Sequence, residues 1–184
     1  VIAVVIGHRL SSQGAVNTRG VTEHTWNSTL AADVHAALMV YGIESVVVQR
    51  PNHRGGYSEQ AQILNGMGVD GIVELHFNSA SAPAATGTET LCHPRSTHGH
   101  ALATSIQRSM CAVLGLRDRG VKATETNGAG VELKTLTRTH APAVIVESYF
   151  GSNDGDTERA TLAMGSGSLG KAIAEGIADW EGPR

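Results

Sequence analysis

Apolar residues fall along this chain in short blocks separated by stretches of helix length. Residues 2–6 (Ile-Ala-Val-Val-Ile) are continuously apolar, which suits a strand buried on both faces. Across residues 23–41, Leu30, Val34, Leu38 and Tyr41 recur at helical spacing, and Gly42 supplies a stop. Residues 45–48 read as a second strand, and residues 58–64 as a helix with Ser58 as its N-cap. Further strands are predicted at 71–75, 88–91 and 143–146. Further helices are predicted at 98–114, ended by Gly115, and at 168–180. Strands alternating with helices of this length predict an α/β domain with a largely parallel, covered sheet.

Composition narrows the function classes. The chain has 184 residues, within what one core absorbs, and is 41% hydrophobic and 17% charged, a globular balance. Its formal charge is −3, so there is no basic surplus for a phosphate backbone and nucleic acid is excluded as an expected partner. No apolar run approaches the roughly 20 residues of a membrane span. The opening block is too short for a signal sequence and lacks a basic start, so the chain is expected to be made without a signal or to be trimmed. Cys92 and Cys111 are too few for a disulfide scaffold or a four-Cys zinc site and are expected to be free core thiols, with a single bridge as the alternative. Low aromatic content offers no dimer patch, so a monomer is expected. Nine histidines are the one unusual count.

Three apolar blocks run into an ionisable residue: 2–6 through Gly7 into His8, 71–75 into His76, and 143–146 into Glu147. In open parallel sheets, ligands bind beyond the carboxyl ends of the strands, so neighbouring strands bring these side chains to one crevice. Glu23 is a fourth candidate, where a loop enters the first long helix. Two imidazoles and one carboxylate form a catalytic zinc set that leaves a coordination position for water. Glu147 suits a proton-accepting role because it ends a rigid apolar strand that desolvates it. Singly, each residue reads more simply as a turn histidine or a first-turn helix partner. The weight lies in the four together.

At these residues the sequence resembles the zinc-dependent N-acetylmuramoyl-L-alanine amidases of the type 3 family, over nearly the whole chain. Val4-Val5-Ile6-Gly7-His8 is similar to the family's strand and Gly-His, whose His binds zinc. Gly20-Val21-Thr22-Glu23 is similar to its zinc-binding Glu block, and Leu75-His76-Phe77-Asn78 to its His-x-Asn block, which carries the third ligand. Pro142-Ala143-Val144-Ile145-Val146-Glu147 through Asn153 is similar to the block holding its catalytic carboxylate. Two departures stand out. Gln60 occupies a position where the family often has Arg, and Glu74 one where it commonly has Ser. Glu74 shares a strand face with His76 and reads either as an acceptor orienting that imidazole or as half of a buried salt bridge to an Arg.

The resemblance implies a phosphorylase/hydrolase-like α/β domain: a twisted, largely parallel sheet of about six strands with helices on both faces. The expected organisation is one catalytic domain over 1–184 with no separate wall-binding module. The implied activity is peptidoglycan hydrolysis at the amide between N-acetylmuramic acid and L-alanine of the stem peptide, with one Zn2+ per chain. His8, Glu23 and His76 would be the metal ligands and Glu147 the catalytic residue. Glu74, Asn78 and His140 are the expected positioning or substrate-binding residues. Groove walls are expected from residues 9–17, 78–86 and 151–156. Between His76 and Glu147 only one strand, one helix and short connections are expected, leaving an open site. The profile suits a phage endolysin made in the host cytoplasm and acting on the cell wall, in the periplasm or outside; a trimmed autolysin domain is the alternative. Another zinc peptidase on the same scaffold and a noncatalytic peptidoglycan-binding module are the rival functions. Gly165-Ser166-Gly167-Ser168-Leu169-Gly170 matches a dinucleotide-binding pattern, but no strand precedes it, and it is expected to cap the last helix through Ser168.

Overall fold

A computed structural model describes residues 1–53 and 55–182. Pro183 and Arg184, the end of the expected 1–184 domain, lie outside the described residues. The chain alternates β1 (Ile2–Ile6), α1 (Glu23–Val40), β2 (Ser45–Gln49), α2 (Gly56–Met67), β3 (Gly71–Asn78), β4 (Thr88–Cys92), α3 (Thr97–Leu114), β5 (Asp118–Ala123), α4 (Lys134–Thr137), β6 (Ala143–Phe150), α5 (Asp154–Gly165) and α6 (Ser168–Glu181). The six strands form one sheet in the order β2-β1-β3-β6-β4-β5. Every neighbouring pair is parallel except β4 with β6, which is antiparallel. The expected largely parallel α/β sheet of about six strands is the one observed.

The two faces of the sheet are covered unequally. On one, Val4, Ile6, Val73, Leu75, Val144, Val146 and Cys92 pack against α1, α3, α5 and α6 in a cluster that includes Leu30, Ile106, Ala160 and Ile173. On the other, Ala3, Val5, Val48, Ile72, Ala143 and Ile145 meet Val69, Leu64 of α2 and Leu136 of α4, with a few half-buried neighbours among the described residues. Strand periodicity then fixes the site's position. On β3 the thinly covered face reads Ile72, Glu74, His76; on β6 it reads Ala143, Ile145, Glu147. The apolar members lie under α2 and α4, and the ionisable ones lie beyond them. The chain passes from β1 outward to β2 and then back across to β3, so β1 and β3 flank the topological switch point where open α/β sheets bind ligands.

Several local expectations need correction. Three elements went unpredicted: β5, α4 and α5. The span from His76 to Glu147 thus holds two strands and two helices, not one of each. Helix α2 starts at Gly56 and has no side-chain cap, so Ser58 lies inside it. Helix α6 is capped by Gly167 in the left-handed conformation (φ 69°), and the Ser168 hydroxyl instead donates to Ala163 O. Strands β3 and β6 continue past their ionisable residues to Asn78 and Phe150, because His76 and Glu147 pair in register and prolong the ladder. Both cysteines are free.

Candidate metal centre

Each of the three predicted ligands is delivered by a different local device. His8 follows Gly7 at the end of β1 and is the one non-glycine residue with positive φ (64°) among the described residues. That backbone is sterically costly for a residue carrying a Cβ, and such strain persists where surrounding structure over-determines it. Glu23 opens α1 behind the Thr22 N-cap. Its backbone N–H donates to Ala15 O, and its Oε2 accepts from Ala15 N at 3.1 Å, so the 13–17 loop holds the carboxylate from both sides. His76 lies on the open face of central strand β3.

These devices bring three side chains together that are distant in sequence. His8 Nε2 is 2.9 Å from Glu23 Oε2, and His76 Nδ1 is 2.7 Å from Glu23 Oε1. The imidazoles meet edge to face at 4.9 Å. One ligand atom from each residue lies within 4.8 Å of the other two, which makes the group able to hold a metal ion. Two glycines keep the space around it. A Cβ on Gly14 would stand 2.6 Å from both Glu23 Oε2 and His8 Nε2, and one on Gly7 would stand 2.6 Å from His76 Nε2. A neutral histidine pair and one carboxylate are also the donor chemistry suited to zinc.

The second ring nitrogen of His76 faces Glu74, with Nε2 3.0 Å from Oε1. Glu74 is itself fully engaged, because it accepts from the buried Arg50 guanidinium and from the Thr135 hydroxyl. The contacts of both sequence readings of Glu74 are present: it lies within hydrogen-bond distance of the imidazole, and it pairs with an Arg. Arg50 also donates from Nε to Gln60 Oε1 at 2.7 Å and stacks on the Tyr57 ring at 3.6 Å. A guanidinium thus sits beside Gln60, supplied from the end of β2.

Charge states follow from these contacts. Burial raises Glu23, but bonds from His76 and His8 bring it down to about 2. Burial likewise raises Glu74, and Arg50 and His76 outweigh it, again to about 2. Burial opposes charge on His76, yet Glu23 and Glu74 on its two sides lift it well above the ordinary imidazole range. A histidine in this state would have to give up its proton to take a metal ion.

Glu147 is placed differently. It pairs in register with His76 across β3–β6 and with Glu89 across β6–β4, so the three share one row on the open face. Burial, seconded by the carboxylates of Glu23, Glu89 and Glu74, pushes it up to about 8 despite the attraction of His76. Its Oε2 is buried and has no hydrogen-bond partner among the described residues. Such an atom, adjoining a cavity of about 480 Å³ that also contains His8, Glu23 and His76, is arranged to exchange a proton with something that enters.

The remaining predicted residues divide. Asn78 lines the cavity and donates from Nδ2 to Glu89 Oε1 at 2.7 Å. His140 does not reach it. Its N–H donates to Asn65 Oδ1, and its side chain faces a separate hollow with His93 and Thr139. Proximity to Pro142 misled there, because residues 138–142 lead up from the opposite end of β6. The expected walls are also revised: residues 127–129 and 132–135 together with Tyr57 form much of the rim. Asn153, by contrast, caps α5 by accepting from Asp156 N. His24 sits against Gln49, not the metal group, as its direction on the helix required. Arg50, Glu89 and Tyr57 were missed by sequence reasoning. Arg50 carried a usable signal, since it too follows an apolar strand.

Comparison with known proteins agrees with this geometry. The family described as N-acetylmuramoyl-L-alanine amidase matches residues 2–179. The chain is 29% identical over 178 residues to the N-acetylmuramoyl-L-alanine amidase CwlM of Mycobacterium tuberculosis, covering 94% of this chain and 40% of that protein. It is 24% identical over 176 residues to the amidase LytC of Bacillus subtilis, covering 95% of this chain and 34% of that one. It thus spans well under half the length of these two relatives. Among solved structures, the catalytic domain of the CD27L endolysin targeting Clostridia difficile superposes with a TM-score of 0.83 at 25% identity, covering 97% of this chain and 96% of that one.

Proposed function

We propose, from the premise that the chain belongs to the N-acetylmuramoyl-L-alanine amidase family, that it cleaves the amide between the lactyl group of N-acetylmuramic acid and L-alanine of the stem peptide. One observation carries the reading. The His8, Glu23 and His76 ligand atoms converge within 4.8 Å, and Glu147, whose Oε2 has no hydrogen-bond partner among the described residues, stands in register with His76 on the adjoining strand.

His8, Glu23 and His76 would hold one zinc ion, and Glu74 would fix the His76 ring by accepting from its other nitrogen. Zinc, when bound, supplies Lewis acidity toward water and the scissile carbonyl. Glu147 Oε2 accepts the proton of the attacking water and returns it to the leaving amine nitrogen of L-alanine. A carboxyl pushed up to about 8 by burial suits both halves of that transfer, since its pKa lies close to neutral pH. Asn78, anchored by Glu89, presents its amide to the same cavity and orients the substrate. The cavity lies beyond the carboxyl ends of the central strands and is partly open to solvent, as a polymeric substrate requires. An endolysin role is supported by the likeness to the CD27L catalytic domain, nearly all of which is matched. Action on the bacterial wall, outside the cytoplasmic membrane, accords with that substrate; no helix among the described residues is long and apolar enough to cross a membrane.

Digestion of purified sacculi with product analysis tests the reading. Free lactyl groups together with intact stem peptides are expected; cleavage within the stem would assign a peptidase on the same scaffold. Zinc analysis should give one ion per chain for wild type and a loss in His76→Ala.

A further inference from the structure

Glu147 borders two cavities. One holds the candidate metal group; the other, about 450 Å³, lies over β4 and β5 and is lined by Asn78, Glu89, Leu91, Arg119 and Lys122. Residues 127 and 128 border both, so the two hollows form one groove that passes Glu147. Lys122 pairs in register with Leu91, which places it on the same open face as Glu89 and Glu147.

The two ends of this groove differ in charge. At the metal end stand Glu23, Glu74 and Glu132, of which Glu74 pairs with Arg50 and Glu132 with Arg138, and Lys134 donates to Ser58 Oγ; Glu147 borders both ends. At the β5 end, both oxygens of Glu89 are already used: Oε2 accepts from Arg119 Nε at 2.8 Å and Oε1 from Asn78. The Arg119 guanidinium is further fixed over the Phe150 ring at 4.8 Å. The Lys122 ammonium makes no hydrogen bond or close ion pair among the described residues; it feels the Asp118 carboxylate, which is itself held by Gln107 and the Gly120 N–H. The β5 end therefore presents a surplus cation beside a rigidly held guanidinium.

This arrangement, taken with the amidase reading above, discriminates between the two halves of the substrate. The sugar's lactyl carboxyl is tied up in the scissile amide, so the glycan half is uncharged there. The stem peptide carries free carboxylates at its end and at its side-chain-linked acidic residue. We propose that Lys122, with Arg119 beside it, is a carboxylate-binding subsite that seats the stem peptide on the β5 side of Glu147. The subsite makes this chain prefer stems with free carboxylates over amidated ones.

The test uses two soluble muropeptides with the same glycan, one with free stem carboxylates and one with those groups amidated. Wild type should favour the free acid. Lys122→Ala should lose about tenfold in kcat/KM on the free acid, mostly in KM, about what one charge-assisted contact open to solvent contributes. Its loss on the amidated substrate should be several-fold smaller, and Lys122→Arg should recover most of the preference. Added salt should erode the wild-type preference. An undiminished preference in Lys122→Ala, or one that disappears in Lys134→Ala instead, overturns the proposal. Binding of the isolated stem peptide, measured by calorimetry on wild type and Lys122→Ala, decides the subsite without turnover. If wild type releases no lactyl groups but binds the free-acid peptide through Lys122, the amidase reading fails and the subsite stands.

Discussion

Replacing Glu147 by Gln should cut turnover sharply and stabilise the metal-free protein, and the second effect measures how strongly the site strains this carboxyl. Burial moves the group from its ordinary value of 4.5 to about 8. At 1.36 kcal/mol per pH unit that displacement corresponds to about 5 kcal/mol, and water reaching the half-buried side chain reduces it to roughly 2–5 kcal/mol. The sign follows from proton binding. Below about pH 4.5 the carboxyl is protonated in the folded and unfolded chains alike, and it costs nothing. Between about 4.5 and 8 the folded chain retains a proton that the unfolded chain releases, so stability falls as pH rises. Above about 8 the deficit is constant. Gln has the same shape and no charge, so the variant should match wild type near pH 4 and exceed it at pH 9. For a domain of this size the gain is roughly 4–20 °C in melting temperature. Thermal melts of chelator-treated protein across pH supply the measurement, and lytic activity should fall by about 10²–10⁴. Equal melting temperatures at pH 9 would refute the idea that desolvation dominates at Glu147.

Three further outcomes follow from the same site. Glu74→Ala should destabilise the fold by about 3–5 kcal/mol in denaturant unfolding, because it strands the buried Arg50 charge; zinc affinity, measured by competition with a chelating dye, should drop about 10–100-fold. Gly14→Ala should eliminate zinc uptake in metal analysis while leaving the far-UV spectrum intact, since the added methyl would collide with Glu23 and His8 at a position of positive φ. Zinc at 100 times its Kd should stabilise wild type by about 2.7 kcal/mol in thermal melts, and His76→Ala should show no such gain.

What was legible in the sequence is what local pattern encodes. Strands buried on both faces announce themselves as unbroken apolar runs, and the ionisable residues that end them marked His8, His76 and Glu147. β5 escaped because it is an edge strand with a single core-facing apolar residue, Val121, among Asp118, Arg119 and Lys122. α4 is one turn long, too short to show a period. α5 is polar through its first turns, although Asn153 with Asp154 and Asp156 was an available capping signal. The groove's second half rests on β5 and on residues 124–128, so its shape was out of reach once that strand was missed. Arg50 was different in kind: its place after an apolar strand was a signal, but its role depends on meeting Glu74 on β3, a contact that no local window contains.

The unequal coating of the sheet has an evolutionary consequence. The four-helix side carries the bulk of the apolar packing, so changes there threaten folding. The sparsely roofed side carries the chemistry, and its borders are the loop around Asn127 and the one-turn α4, neither of which anchors the main packing cluster. Descendants of such a scaffold are free to lengthen, trim or recharge those borders and so adapt to differently cross-linked walls, while the main packing cluster stays under separate selection.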